Sequence, residues 1–162
     1  MDLIDEILSD WEREKPDIDW SGKAVACRIL HTYSAIIAAQ ESTLKPLGIN
    51  PTIFSVLVTI RRKGPDAEVT VSKIMQEALV TSGAMSNLIN KLANLGYVTK
   101  RKASSNEDLR ASFIKLTPKG LKTIDKAMII QAACERRSVQ NLNSAEKKQL
   151  SNLLKKMSEK GD

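Results

Sequence analysis

The sequence predicts a mainly α-helical protein with one small β-hairpin. Apolar residues recur three or four positions apart through most of the chain, which is typical of helices that bury one face. The segments 97–102 and 112–116 instead have the short apolar and β-branched runs of strands, and a polar loop separates them. The 162 residues, 42% of them hydrophobic and 27% charged, suit one globular domain of ordinary size.

Two helices are predicted at the start of the chain. Asp2 is placed to cap a helix over 3–11, and Pro16 ends it. A long second helix follows over 21–45. Its predicted buried face consists of apolar residues at helical spacing: Val25, Ala26, Ile29, Leu30, Tyr33, Ile36 and Ile37.

The central segment predicts two short helices joined by a tight turn. Thr70 caps a helix over 71–78. Thr81 or Ser82 caps a second helix that ends near Leu95, just before a glycine. This pair is a helix-turn-helix candidate, a signal that is weak by itself. Three further helices are predicted, and each begins with a capping residue that is followed by a proline or a glutamate. The pairs are Asn50 with Pro51, Thr117 with Pro118, and Asn143 with Glu146.

The predicted hairpin strengthens the helix-turn-helix interpretation because it follows directly. Two strands are unstable alone, so 97–102 and 112–116 must pack on the helices, which gives a winged helix. Val69 is expected in a further short strand. The long helix that begins at 118 is expected to end near Leu142. Its apolar positions are Leu121, Ile124, Met128, Ile129 and Ala132.

Charge is unevenly distributed along the chain. The formal net charge is +6, yet residues 1–20 carry eight acidic and two basic side chains, a net of −6. The other 142 residues therefore carry +12, and the segment 97–126 alone carries +5, from eight bases and three acids. A basic body suggests a polyanionic partner such as nucleic acid.

Several classes of protein are disfavoured by the residue inventory. Two cysteines and one histidine do not make a disulfide framework or a structural zinc site, so no metal or cofactor is expected. No acid–base pair, nucleophile–histidine arrangement or phosphate loop is evident, which disfavours an enzyme. No apolar run approaches the length of a membrane span, and the acidic start is unlike a signal peptide. We therefore expect a cytoplasmic protein that does not enter a membrane.

Four passages resemble the MarR family of winged helix-turn-helix transcriptional regulators. They are GINPTIFSVL at 48–57, TSGAMSN at 81–87 with the following KL and LGYV, the wing signature DLR at 108–110 followed by LTPKG at 116–120, and the N-x-x-E start of the last helix. The resemblance extends over nearly the whole chain. The wing signature at this spacing is its most specific part.

The resemblance implies a homodimer that binds double-stranded operator DNA. It divides the chain into an accessory N-terminal helix (1–20), a winged helix-turn-helix (51–117) and a helical dimerisation region (21–50 with 118–162). Members of the family often repress transcription and often release a palindromic operator when a small phenolic or anionic ligand binds. Two alternatives stay open: a redox-switched regulator that uses Cys27, and a winged helix that binds only proteins.

The candidate DNA-contacting residues lie in two groups. The exposed face of the recognition helix offers Ser82, Ala84, Ser86, Asn87, Asn90 and Lys91. The wing offers Arg101, Lys102, Asp108 and Arg110. The resemblance places Arg110 in the minor groove, and Asp108, two residues away, is expected to orient its guanidinium group.

The N-terminal helix resembles an extra helix found in the urate-responsive branch of the family. Trp11 matches a ligand-contacting tryptophan of that branch. Ser55, Leu88 and Lys100 do not match the other ligand positions, so urate itself is not expected. The candidate region for some other aromatic or anionic ligand comprises Trp11, Trp20, Arg28, His31 and Tyr33.

Overall fold

The computed structural model describes residues 2–78, 82–104 and 111–159, and the side chains of 82–84 fall outside this description. The described helices are α1 (Leu3–Glu14), α2 (Ser21–Leu44), α3 (Pro51–Arg61), α4 (Val71–Glu77), α5 (Ser82–Asn94), α6 (Pro118–Ser138) and α7 (Ser144–Ser158). The strands are β1 (Glu68–Thr70), β2 (Val98–Lys102) and β3 (Ser112–Leu116). The predicted fold class, mainly α with a small β wing, is confirmed.

Side-chain caps fix where most of the helices begin. A capping side chain accepts hydrogen bonds from backbone N–H groups that the first turn of a helix leaves unpaired. The predicted caps are confirmed at Asp2, Asn50, Thr70, Thr117 and Asn143. At α7 the capping box is complete, because the carboxylate of Glu146 also accepts from the N–H of Asn143 at 2.7 Å.

The strands form one antiparallel sheet in the order β1–β3–β2. Val69 pairs with Ile114 in the central strand, and Lys100 pairs with the same residue from the other side. The predicted hairpin therefore has a third strand. This strand, β1, leads directly into α4, so the sheet and the helix-turn-helix are fixed to each other.

The hydrophobic core lies within the winged helix and the adjoining part of α6. Its fully buried side chains include Leu57, Ile60, Ile74, Met85, Ile89, Leu92, Ile114 and Ile124. Gly120 marks a close approach between α6 and the start of the wing, because a Cβ atom built there would lie 2.0 Å from the carbonyl oxygen of Tyr97. Only glycine lets the first turn of α6 pack against the start of the wing.

The predicted buried face of α2 is wrong for the single chain. Val25, Leu30 and Tyr33 are 49%, 66% and 62% exposed, and Ala26 is exposed as well. The helical spacing is present, but the described elements of one chain leave much of the first half of this face exposed. The last helix, α7, likewise contains no buried residue, although Leu150, Leu153, Leu154 and Met157 form an apolar stripe.

The prediction for α6 also needs correction. Met128 and Ile129 are 40% and 75% exposed, whereas the buried positions of this stretch include Ala127, Gln131 and Cys134. Packing against α2 and α3 decides which face of the helix is buried, and Met128 and Ile129 lie off that face. The helix ends at Ser138, earlier than the predicted Leu142, and a short turn leads to α7.

No single helix within the described ranges has the length and apolar character needed to cross a membrane. By length and composition alone, one pair passes that test: α2 with its 3-10 extension (Lys45–Leu47), and α3, which meet at a bend of 77°.

Candidate nucleic-acid interface

The helix α5 presents a polar face to solvent and buries the opposite face. Ser86, Asn87, Asn90 and Lys91 are exposed. On the other side Met85, Ile89 and Leu92 are at most 1% exposed and belong to the core. Because residues four apart share a helix face, Ser86 lies above Asn90 and Asn87 lies above Lys91. The helix therefore presents two adjacent rows of hydrogen-bonding side chains.

Part of the predicted site lies outside the described residues. Ser82 and Ala84 belong to the first turn of α5, but their side chains are not among those described. Asp108 and Arg110, with the rest of 105–110, are outside the described part of the wing. The roles given to these four residues stay predictions.

The C-terminal end of α5 is anchored by residues from the wing exit and from α6. Gly96 ends the helix in the left-handed conformation, with φ at 74°. Lys119 donates from Nζ to the carbonyl oxygen of Leu95 at 2.7 Å, and Thr117 donates from Oγ1 to the carbonyl of Gly96 at 2.6 Å. A cation at this position also complements the negative end of the helix dipole. The orientation of α5 is thus tied to the start of α6.

Strand β2 carries basic side chains, and its alternation sends neighbours to opposite faces. Lys100 is directed toward α5 and donates to Oδ1 of Asn90 at 2.8 Å. Lys102, two residues further on, is exposed. Lys100 and Asn90 line a cavity of about 360 Å³ between α4, α5 and the wing. No local pattern indicates this link, because it joins two separate elements.

Arg101, which was predicted to contact DNA, is bound within the sheet. Its guanidinium group pairs with the carboxylate of Glu68 on β1, with Nη2 at 2.6 Å and Nε at 3.1 Å from Oε2. The same group lies 4.4 Å from the ring centroid of Phe113. A guanidinium held by two partners of its own protein is a bracing element of the wing, so its positive charge is largely balanced locally.

Three bases surround one carboxylate beside the helix-turn-helix, and sequence analysis missed this cluster. Glu77, at the end of α4, accepts from Arg62 at 2.5 Å and is 3.0 and 3.1 Å from Lys63 and Lys73. The hydrogen bonds from the two lysines contribute most to lowering the pKa of Glu77, from 4.5 to about 2. The cluster fastens the end of α3 to α4. Lys73 lies one helical turn before Glu77, but Arg62 and Lys63 lie fifteen and fourteen positions before it, so no local pattern indicates that they join the cluster.

The candidate ligand residues separate into three places. Arg28 and Tyr33 line an apolar groove of about 420 Å³ between α2 and α7. Arg28 also lines, with His31, a smaller cavity of about 260 Å³ against the start of α1. Trp11 and Trp20 instead pack on each other, with ring centroids 5.3 Å apart and the ammonium of Lys23 at 5.6 Å from both. The two tryptophans line neither of these two cavities.

An ion pair holds α1 against α2. Arg28 donates from Nη2 to the carboxylate of Asp5 and, at 3.3 Å, to that of Asp2. A backbone hydrogen bond from Asp2, followed by the bond from Arg28, lowers the pKa of Asp5. The bond to Asp5 raises the pKa of Arg28. The acidic N-terminal helix thus has a defined position on α2.

Comparison with known proteins decides what this winged helix is. The profile described as "MarR family" matches residues 47–111, from the end of the 3-10 turn before α3 into the wing. YkoM of Bacillus subtilis (strain 168), an uncharacterized HTH-type transcriptional regulator, is 33% identical over 112 residues. That match covers 69% of this chain and 70% of YkoM. The chain belongs to the MarR family.

Two solved structures of DNA-binding proteins show the same fold. A variant of E. coli MarR complexed with operator DNA matches with a TM-score of 0.74 at 22% identity, over 98% of this chain and 99% of that one. BpsR of Bordetella bronchiseptica, whose DNA binding is regulated by 6-hydroxynicotinic acid, matches with a TM-score of 0.73 at 19% identity. That match covers 83% of this chain and 98% of the BpsR chain. These likenesses show the shared fold, and the family match identifies the chain as a MarR-family transcriptional regulator.

Both cysteines of this MarR-family regulator are free thiols. Cys27 is half-buried on α2, and Cys134 is buried on α6. Among the described residues, no group of three or more histidine, cysteine or acidic side chains could hold a metal ion. A redox role for Cys27 stays a hypothesis, which family membership does not favour.

Proposed function

We propose that this MarR-family regulator is a homodimeric repressor of a palindromic operator, with α5 in the major groove and the wing in the minor groove. One observation carries the proposal. The face of α5 opposite the core is a continuous polar surface, with Ser86, Asn87, Asn90 and Lys91 all exposed. A helix of this kind fits the major groove, where side chains meet base edges.

The chemistry of α5 suits recognition of bases and phosphates. Asparagine amides can donate to and accept from base edges, so Asn87 and Asn90 are the proposed base contacts. Ser86 and Lys91 are suited to phosphate oxygens. In the first turn, Ser82 is proposed at a phosphate near the helix N-terminus, and Ala84 at a thymine methyl group.

The wing is proposed to follow the minor groove. Arg110 is the inserted residue and Asp108 orients it, in accordance with the family's wing signature. Lys102 is exposed on β2 and is suited to a flanking phosphate. Arg101 is proposed to support DNA binding indirectly, by holding the wing in place, because its guanidinium group is bound by Glu68.

The helices outside the winged helix are the proposed dimerisation region. The apolar stripe of α7, including Leu153 at 52% and Met157 at 58% exposed, would face water in a single chain. Leu30 on α2 and Ile129 on α6 are more exposed still. Large exposed apolar faces mark interaction sites. We assign 21–50 and 118–162 to this region, and a two-fold axis would then place two α5 helices about 34 Å apart on one side of the duplex.

A small aromatic or anionic ligand is proposed to release the operator. The groove between α2 and α7 has a volume within the range of ligand sites, and it combines apolar walls with the cation of Arg28 and the ring of Tyr33. The regulation of BpsR by 6-hydroxynicotinic acid, an aromatic acid, supports the class of ligand. A place near the urate-responsive branch stays a prediction. Urate is not the proposed ligand, because Ser55, Leu88 and Lys100 do not match that branch.

Arg110→Ala provides the test of DNA binding. We expect operator affinity to fall at least about tenfold in a gel-shift titration, because the minor-groove cation is removed. Arg13→Ala, in the acidic α1, is the matched control and is expected to leave affinity unchanged. Affinity for the operator should also fall steeply as salt rises. Weak salt dependence with no sequence preference would favour the protein-binding alternative, and unchanged affinity of the Arg110 variant would contradict the wing assignment.

Release by ligand can be tested with the same operator complex. Salicylate, benzoate and 6-hydroxynicotinic acid are added to the complex, and the fraction of bound DNA is measured. If one of these acids releases the operator from wild type and releases it less well from the Arg28→Gln variant, the groove is supported as the ligand site. No release by any small aromatic acid would contradict this part of the proposal. Peroxide treatment of wild type and of Cys27→Ser separates release by a ligand from the redox alternative. Only the redox alternative predicts that peroxide releases the operator from wild type and not from Cys27→Ser.

A further inference from the structure

The link between Lys100 and Asn90 joins the wing to the recognition face of α5. Lys100 lies in the middle of β2 and reaches across to the third turn of α5, where its Nζ donates to Oδ1 of Asn90 at 2.8 Å. Both residues are exposed. Asn90 shares its helix face with Ser86, and all three residues line the cavity between α4, α5 and the wing. The contact therefore lies on the same polar surface that the proposed function directs toward DNA.

The chemistry of the pair leaves one orientation of the amide. A lysine ammonium group has three donors and no acceptor, so its partner on Asn90 must be the oxygen. Without a partner, an asparagine amide can turn about its last torsion and present either oxygen or nitrogen at the same place. With Oδ1 held by Lys100, the Nδ2 group points away from the wing and offers N–H donors there.

Lys100 has no competing carboxylate in the described part of the chain. Its neighbour Arg101 is paired with Glu68, and Lys115 on β3 is paired with Asp66 at 3.0 Å. Among the described residues, no acidic side chain forms an ion pair with Lys100, and its ammonium group donates to Asn90. The contact is exposed and contributes little to folding stability. Its consequence is orientation of an amide that would otherwise be free to turn.

We propose that Lys100 is a positioning residue that sets the base preference of Asn90, an inference that rests on the proposed operator binding. Asn90 then acts as a donor, and the base edge that it faces must offer an acceptor. In the major groove guanine, adenine and thymine offer acceptors, whereas cytosine offers only its amino group. Asn90 is therefore expected to exclude cytosine at one position of each half-site, although Lys100 itself contacts no base.

The experiment begins with wild-type dimer and a library of duplexes that have a random central segment. Selection gives the operator, and single-base variants of it give a preference profile at each position. The position read by Asn90 is the one whose preference is lost in Asn90→Ala. There, wild type is expected to bind the operator with an acceptor base about tenfold more tightly than the operator with cytosine.

Lys100→Met is the decisive variant, because it keeps the length of the side chain and removes the donor. We expect its discrimination against cytosine at that position to fall to about threefold or less, with the other positions unchanged. Lys100→Arg, which keeps a donor at this position, should keep the preference. Lys102→Met, on the same strand and face, is the matched control and should lower affinity for all sequences equally. In the Asn90→Ala background, Lys100→Met should change no base preference.

Two results would overturn the inference. A uniform loss of affinity in Lys100→Met, with a lower salt dependence and an intact base profile, would make Lys100 a phosphate contact. An unchanged profile and affinity would make the link irrelevant to recognition. Failure of the proposed function is distinguishable from both, because the wild-type protein would then select no sequence from the library, and the inference would fall with it.

Discussion

The winged helix and the helices around it differ in how completely each buries its apolar residues. In the winged helix, side chains such as Leu57, Ile74 and Leu92 are fully buried. In the surrounding helices, Leu30 and Ile129 are 66% and 75% exposed. Both regions have the same helical periodicity. The difference teaches that periodicity identifies an apolar face, whereas the neighbours of that face decide whether one chain can bury it.

The two regions therefore differ in what completes them. The winged helix is closed by its own sheet and by the first turn of α6, where Gly120 packs on Tyr97 and Thr117 donates to the carbonyl of Gly96. The surrounding helices have only partial cover, and a second copy of the chain is the partner that we propose for them. This contrast suggests that substitutions in one region should affect folding, and substitutions in the other should affect assembly.

The largest expected effect is on assembly. Replacing Leu150 and Leu154 of α7 together by glutamate should weaken the dimer at least about 1,000-fold, because two apolar anchors would become buried charges. Lys147→Glu, on the same helix, is the control and should leave the dimer intact. Sedimentation velocity across a concentration series measures this. If the double variant stays dimeric, the assignment of α7 to the interface is wrong.

Next in size is an effect on folding of the winged helix. Gly120→Ala should lower the free energy of unfolding by about 2–3 kcal/mol, because the new Cβ atom would collide with the backbone of Tyr97. Gly22→Ala is the matched control, since a Cβ atom there meets nothing within 4 Å. Denaturant unfolding of both variants measures the difference. Equal stability of the two variants would show that α6 can shift at no cost.

A smaller effect is expected from the cluster around Glu77, and it should depend on pH. The folded-state pKa of about 2 lies below the ordinary 4.5, so the stabilisation is complete above pH 4.5 and is lost as pH falls toward 2. Glu77→Gln should therefore melt below wild type at pH 7, and the two melting temperatures should converge as pH falls from 4.5. Glu41→Gln, an exposed position on α2, serves as control. If the difference between the two melting temperatures does not change with pH, the charge of Glu77 is not its source.

The smallest expected effect is confined to the attachment of α1. Arg28→Met removes the ion pairs with Asp2 and Asp5, so α1 should open more often and its backbone amides should exchange faster. Exchange in α5 and the melting temperature should stay unchanged, because α1 packs on α2 and makes no part of the winged-helix core. Arg13→Met, whose pair with Asp10 lies within α1, is the control. If the amides of α1 exchange at the same rate in both variants, Arg28 is not the residue that holds α1 on α2.

Local chemistry explains how much of the fold could be predicted. The caps at Asn50 and Thr117, and the stop at Gly96, depend on backbone groups within a few residues, so the sequence indicates them directly. The strand boundaries at 112–116 were likewise predicted as they are found. In the candidate site, the exposed polar positions of α5 followed from helical spacing alone.

The sequence by itself determined the order of the elements, the polar face of α5 and the basic character of the wing segment, because each depends on residues close together in the chain. The tertiary structure decided which partners the side chains meet. It pairs Arg101 with Glu68, gathers three bases on Glu77 and joins Lys100 to Asn90. It also leaves the apolar faces of α2 and α7 uncovered. These outcomes depend on how separate elements pack, and no local pattern along the chain encodes that packing.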